Sequence, residues 1–319
     1  LTGTEALSTI AGVDVPLHQR RGLARAILAA MRPRQWTKNA FVLAALLLTG
    51  GLRDVPKTWA AIITALLFCV VSSGVYIVND LMDVEGDRRH PVKRFRPLAA
   101  GEITPGMGWL LATGLTVLGI GGGYLWVQPQ ASPYLVGNIL ATYFLMQLAY
   151  TFVLKHMVII DVMTIAGGFV LRVLAGGAAI DVKISAYLYL STIFLATFQG
   201  FAKRRQELLT MSTAAAGHRP SLEEYSVGLL DTFLTITATA TTVSYALYAV
   251  NTPHRPQNIS ANLLLLTVPF VIYAVFRYLY LIHVKGLGGA PEDMLLKDRL
   301  LLLDVLAWVA LLAGLIYFG

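Results

Sequence analysis

Apolar residues collect into nine long stretches along the chain, and short polar segments separate them. Their approximate limits are 36–52, 57–79, 106–127, 132–153, 157–179, 184–203, 226–250, 259–284 and 299–318. A hydrocarbon core roughly 30 Å thick takes about 20 residues of α-helix to cross. Lipid offers the backbone no hydrogen-bond partners, and these runs are too long for barrel strands, so each predicts a membrane-spanning helix. The expected fold is all-α: a polytopic membrane protein with about nine transmembrane helices over residues 36–319.

Residues 1–35 break that pattern. Residues 1–16 read as a polar tail without the basic-then-apolar order of a cleavable signal peptide. From Leu17 to Met31 the period changes: Leu23, Ile27, Ala30 and Met31 share one helical face, and Arg21, Arg25 and Arg32 lie on another. A basic amphipathic helix on the membrane surface is expected there.

Composition agrees with a bilayer setting. Of 319 residues 56% are hydrophobic and only 13% charged, with a mean hydropathy of +0.65, against roughly 25% charged in ordinary soluble domains. The single cysteine, Cys69, lies within the second apolar stretch. It excludes an intrachain disulfide and reads as a small packing residue.

Charge placement sets the expected orientation. If the spans alternate, the N-terminal segment and the loops after even-numbered spans hold nineteen lysines and arginines, and the opposite side holds four: Arg53, Lys57, Lys183 and Arg255. The basic side is expected in the cytoplasm, with the chain in the inner (plasma) membrane. The net charge of +7 is then a topology signal, and with no soluble domain left to carry a groove-binding module, nucleic-acid binding is excluded.

The second apolar stretch ends in NDLMDVEGDRRHPVKRFRP, residues 79–97. Asp80, Asp83 and Asp87 follow an i, i+3, i+7 spacing, so a helix continued for two turns would place them on one face. Three like charges so close call for a cation, and oxygen-only donors suit a hard ion such as Mg²⁺, which takes one or two carboxylates together with water and substrate phosphates. The bases that follow suit phosphate oxygens. Helix capping with solvated ion pairs is the alternative for a single acid at a membrane boundary; the dense pattern favours polyphosphate chemistry.

These residues carry a resemblance. Asn79-Asp80-x-x-Asp83-x-x-x-Asp87, followed by His90-Pro91-x-Lys93-Arg94-x-Arg96-Pro97-Leu98 and Gly101-x-Ile103, resembles the first signature of the UbiA superfamily of intramembrane prenyltransferases. Arg32-Pro33-Arg34-Gln35-Trp36-Thr37-Lys38-Asn39, the segment Tyr150 to Lys155, and Pro291-Glu292-Asp293 followed by Asp298-Arg299 resemble the branch that moves a phosphoribosyl group from phosphoribosyl pyrophosphate (PRPP) to a polyprenyl phosphate. The resemblance implies a nine-helix UbiA-like bundle with Mg²⁺ as cofactor, PRPP and decaprenyl phosphate as substrates, and a role in making cell-wall arabinan precursors. It implies Asp80, Asp83 and Asp87 as catalytic residues, with Asp80 and Asp83 on the metal. Lys38, Asn79, Asp87, Lys93, Arg94, Arg96, Tyr150, Lys155, Asp161, Gln199, Lys203 and Arg204 are the expected substrate contacts.

One departure separates readings. Many aromatic prenyltransferases of the superfamily carry a second Asp-x-x-x-Asp pair, whereas here Asp161 is followed four residues later by Ile165. This counts against the rival activity, transfer of a polyprenyl group from its diphosphate to an aromatic acceptor, and leaves Lys155 to neutralise phosphate in place of a second metal. A cation transporter is the non-enzymatic alternative; it would want acids near the bilayer midplane and internal repeats, and neither is present.

Further polar positions fall inside spans. Asp161 and Arg172 are three turns apart on one face, and a salt-bridged structural network is expected for Arg172. Gln199, Lys203 and Gln206 share a face at the end of the sixth span, with Arg204, Arg205 and Glu207 beside them, suiting a second phosphate site. The six histidines never fall at metal-ligand spacing. Gly167-Gly168 and Gly176-Gly177 are expected at close helix contacts. Residues 206–225 are a candidate lid or a simple link, and a homo-oligomer is left open.

Overall fold

Apolar runs whose backbone groups must bond within the segment become helices over almost every predicted span. The computed structural model describes residues 7–10, 13–16, 21–211, 222, 224–251, 261–287, 294–295 and 297–318. Its α-helices of five or more residues are α1 (Leu23–Ala30), α2 (Ala44–Leu48), α3 (Val55–Met82), α4 (Val84–Arg89), α5 (Pro105–Leu125), α6 (Leu135–Phe152), α7 (Ile160–Ala179), α8 (Ala186–Met211), α9 (Val227–Val250), α10 (Val268–His283) and α11 (Arg299–Phe318). Ahead of the helical body, β1 (Leu7–Ile10) and β2 (Val13–Pro16) pair antiparallel. The rest of the polar tail, most of the candidate lid, and the Pro291-Glu292-Asp293 segment lie outside the described residues.

Starts and stops follow local chemistry. Asp54 caps α3 by accepting the Lys57 backbone N–H, Thr104 caps α5, and Ser226 caps α9. Pro56 and Pro105 stand at the first positions of their helices, where no amide is needed.

Among the described residues seven helices, not nine, are long and apolar enough to cross a membrane. Two predicted spans account for the difference. α8 has ample length, but its second half carries Gln199, Lys203, Arg204 and Arg205. The first stretch, 36–52, is not one α-helix: it begins as an eleven-residue 3₁₀ helix, Pro33–Leu43, continues as α2, and stops at Thr49. Such 3₁₀ runs rarely exceed four residues. Here tertiary contacts hold it: Trp36 Nε1 donates to Ser73 Oγ at 3.1 Å, and Asn39, fully buried, donates to Cys69 Sγ at 3.2 Å. A methyl on Gly176 of α7 would run into the Val42 carbonyl, so that glycine lets the segment lie against α7.

α3 lies along α5, α9 along α8, and α7 joins the two halves by packing on α3, α6 and α8. One core gathers around Val42, Phe68, Val71, Leu140 and Tyr143; another around Phe198, Leu230, Leu234, Tyr278 and Leu281. Outward-facing Leu110, Val117, Phe276 and Leu303 are more than half exposed, as lipid-facing positions should be.

Candidate active site

α3 does not run on as an unbroken helix through its acids. Asp83 leaves helical geometry at φ −98° and ψ 8°, closing α3 and opening α4. The three aspartates therefore do not form one stripe, contrary to their spacing. Asp80 and Asp87 are 2% and 3% exposed, whereas the Asp83 side chain is 47% exposed.

Each acid meets a cation. Arg96 Nη1 donates to Asp80 Oδ1 at 3.1 Å and to Asp87 Oδ2 at 2.6 Å, bridging the buried pair. Arg32, which also stacks on Tyr76, binds the same Asp80 oxygen. Lys155 Nζ lies 3.1 Å from Asp83 Oδ1, and the Thr151 hydroxyl donates to Asn79 Oδ1. Three carboxylates facing three cations make a neutral cluster, which is how such acids tolerate burial.

The basic loop divides. Arg96 turns inward, whereas Lys93 and Arg94 are exposed on the 3₁₀ turn Lys93–Phe95, with Arg94 over the Phe95 ring. His90 shapes this loop: its Nδ1 accepts the Val92 and Lys93 amides at 3.2 Å each. Partial burial, then the nearby Lys93 charge, pushes the His90 pKa below its ordinary value.

A second cluster sits where α7 begins. Asp161, wholly buried, accepts from Arg204 Nε at 2.7 Å and from the Tyr225 hydroxyl at 3.2 Å. Arg204, also buried, reaches Glu207 and lies 3.4 Å from the Tyr150 hydroxyl. Tyr225 in turn accepts the Ile159 N–H at 2.7 Å; its pKa is pushed up to about 12, chiefly by burial. Of the expected pair Gln199 and Lys203, Gln199 is half-buried and Lys203 exposed; Arg204 is the side chain that turns into the protein. Lys38 is half-buried on the 3₁₀ helix.

Arg172 corrects another expectation. It makes no ion pair among the described residues. Its guanidinium donates to Asn39 Oδ1 at 2.7 Å, to the Gly168 carbonyl at 2.8 Å and to the Tyr143 hydroxyl at 2.9 Å, between the rings of Phe68, Tyr143 and Phe169. Hydrogen bonds and aromatic faces replace a counter-ion. Asp161, on the same helix, pairs with Arg204.

Two residues escaped sequence reasoning. Arg32 read as part of an amphipathic surface, although its place before Pro33 in the quoted Arg32–Asn39 segment was a signal. Tyr225 carried none.

Among the described residues no three acidic, histidine or cysteine side chains are gathered to hold a metal ion. The oxygen-only donors do fit an ion held by one or two carboxylates and otherwise by water and substrate phosphates, as Mg²⁺ usually is.

The model of the UbiA prenyltransferase family matches residues 39–288. The chain belongs to that family. A decaprenyl-phosphate phosphoribosyltransferase from Corynebacterium glutamicum is 37% identical over 301 residues, covering 93% of this chain and 88% of that one. The protein of the same name from Mycobacterium tuberculosis is 36% identical over 310 residues, covering 96% and 99%. The UbiA fold itself recurs in a solved UbiA homolog from Archaeoglobus fulgidus bound to GPP and Mg²⁺, with a TM-score of 0.69, 17% identity, and coverage of 91% of this chain and 99% of that one. A digeranylgeranylglyceryl phosphate synthase gives a TM-score of 0.64 at 16% identity, covering 93% and 99%. UbiA-family membership makes this chain a membrane-embedded transferase.

Proposed function

We propose that the protein transfers the 5-phosphoribosyl group of PRPP to a polyprenyl phosphate, decaprenyl phosphate by analogy with its named relatives, releasing pyrophosphate and supplying cell-wall arabinan precursors. The observation that carries this reading is the 36–37% identity to decaprenyl-phosphate phosphoribosyltransferases across nearly the full length of both chains. The clustered acids and bases at one end of the bundle supply chemistry that suits it. The nineteen-to-four distribution of bases supports a site facing the cytoplasm from the inner membrane.

PRPP brings about five negative charges into a partly dry site, where charge-assisted hydrogen bonds are strong. Arg32, Arg96 and Lys155 now neutralise aspartates; transferring them to phosphate oxygens frees carboxylate oxygens of Asp80 and Asp83 to hold Mg²⁺. A bound Mg²⁺ would neutralise charge on the departing pyrophosphate. Asp87 and Asn79 orient the ribose, and Lys38, Lys93, Arg94, Tyr150, Gln199, Lys203 and Arg204 line the approach of the donor phosphates, with Asp161 holding Arg204 in place. As the C1–oxygen bond to pyrophosphate breaks, its electron pair leaves with pyrophosphate, and a lipid phosphate oxygen forms the new bond to C1. That oxygen is already anionic, so no general base is needed.

The test is purified protein with Mg²⁺, decaprenyl phosphate and PRPP labelled in its ribose. Label in the lipid supports the reading. Transfer instead from a polyprenyl diphosphate to 4-hydroxybenzoate would replace it with the aromatic prenyltransferase activity.

A further inference from the structure

Between the two clusters the chain makes one strained turn. Ile159 has φ +68° and ψ −47°, and the Ile160 N–H bonds back to the Val158 carbonyl at 2.8 Å, the geometry of a γ-turn with positive φ. This turn is rare for any L-residue and worse for a β-branched one. Such conformations persist only where the surroundings hold them.

The holding group comes from far along the chain. The Tyr225 hydroxyl accepts the Ile159 N–H at 2.7 Å and donates to Asp161 Oδ1 at 3.2 Å. Its one oxygen therefore grips the strained residue and the first acid of α7 together. Four residues before the turn, Lys155 meets Asp83; two residues after it, Asp161 meets Arg204. The turn thus lies between Lys155 and the carboxylate that holds Arg204.

We infer that Tyr225 is a positioning residue: it clamps the Ile159 turn and so sets the spacing of Lys155 and Arg204, the donor-phosphate contacts of the proposed activity on which this inference rests. The hydroxyl, rather than the ring, is the working part. It also ties the end of the 206–225 connection to the site.

The experiment uses the full chain in lipid nanodiscs. Tyr225→Phe is expected to raise the KM for PRPP about tenfold while kcat and the KM for decaprenyl phosphate change less than about twofold, since only donor binding is loosened. Hydrogen exchange across residues 157–161 should accelerate, with exchange elsewhere unchanged as the control for folding. In an Ile159→Gly background, where glycine takes positive φ freely, the same tyrosine change should shift the KM by less than about threefold, because double-mutant coupling reports a shared element. Equal shifts in the two backgrounds, or unchanged exchange at the turn, would overturn the inference. If the parent protein transfers no label from PRPP, the activity reading fails, and the exchange comparison still decides the clamp.

Discussion

Arg204 Nε lies 2.7 Å from Asp161 Oδ2, and with side chains 2% and 0% exposed the pair locks α8 to the first turn of α7. Removing one member of a buried pair leaves the other charged and unsolvated, a loss of about 3–5 kcal/mol. Asp161→Asn is expected to lower the thermal unfolding midpoint clearly, and Arg205→Gln, whose partner Asp231 is 36% exposed, only slightly. Equal midpoints for the two variants would contradict this ranking.

Asp80 and Asp83 should separate on substitution despite sharing a motif. Asp83 is half-exposed with one lysine partner, so Asp83→Ala should abolish turnover without moving the unfolding midpoint. Asp80 neutralises two arginines in a buried setting, so Asp80→Ala should abolish turnover and destabilise as well. Activity and melting curves on the same preparations test the difference.

Because the acids are already neutralised by Arg32, Arg96 and Lys155, chelating divalent ions should leave the substrate-free protein as stable as before. Mg²⁺ and pyrophosphate together should raise the unfolding midpoint, and either alone should do little, as linkage requires of a ligand that binds only in company. A rise with Mg²⁺ alone would indicate a preformed metal cage.

His90 provides a pH handle. Its native pKa is depressed, so the unfolded loop takes up protons first as pH falls. Any stability the neutral ring provides is complete above the ordinary value near 6.5 and fades below it. Protonation at Nδ1 would also remove the acceptor for the Val92 and Lys93 amides. His90→Asn, whose side-chain oxygen can accept in the same way, should flatten the acid limb of activity below about pH 6.5; an unchanged limb would remove His90 from the explanation.

Arg172→Lys should behave nearly as badly as Arg172→Met. Lysine keeps the charge but cannot direct a planar fork at Asn39, Gly168 and Tyr143 together. Both variants should release the 3₁₀ segment, seen as faster proteolysis or exchange across residues 33–43. Arg172→Lys with wild-type protection would show that charge, rather than the fork, holds the segment.

The acidic motif was legible in sequence because its members are neighbours, and the spans were legible because burial in lipid imposes a length and a composition. What misled was continuity. An i, i+3, i+7 spacing puts three aspartates on one face only if the helix persists, and this one breaks at Asp83. The apolar count over 36–52 likewise described solubility in lipid and said nothing of the hydrogen-bond pattern.

From the sequence alone came a helical membrane protein, its family and the cluster of acids that closes α3, since each depends on residue type and near-neighbour spacing. Only the folded chain brought Arg32 to Asp80 across 48 positions and Tyr225 to Asp161 across 64, and only it gave Arg172 aromatic rings in place of a counter-ion. A charge seeks whatever partner packing brings within about 3 Å, and distance along the chain does not specify distance in space.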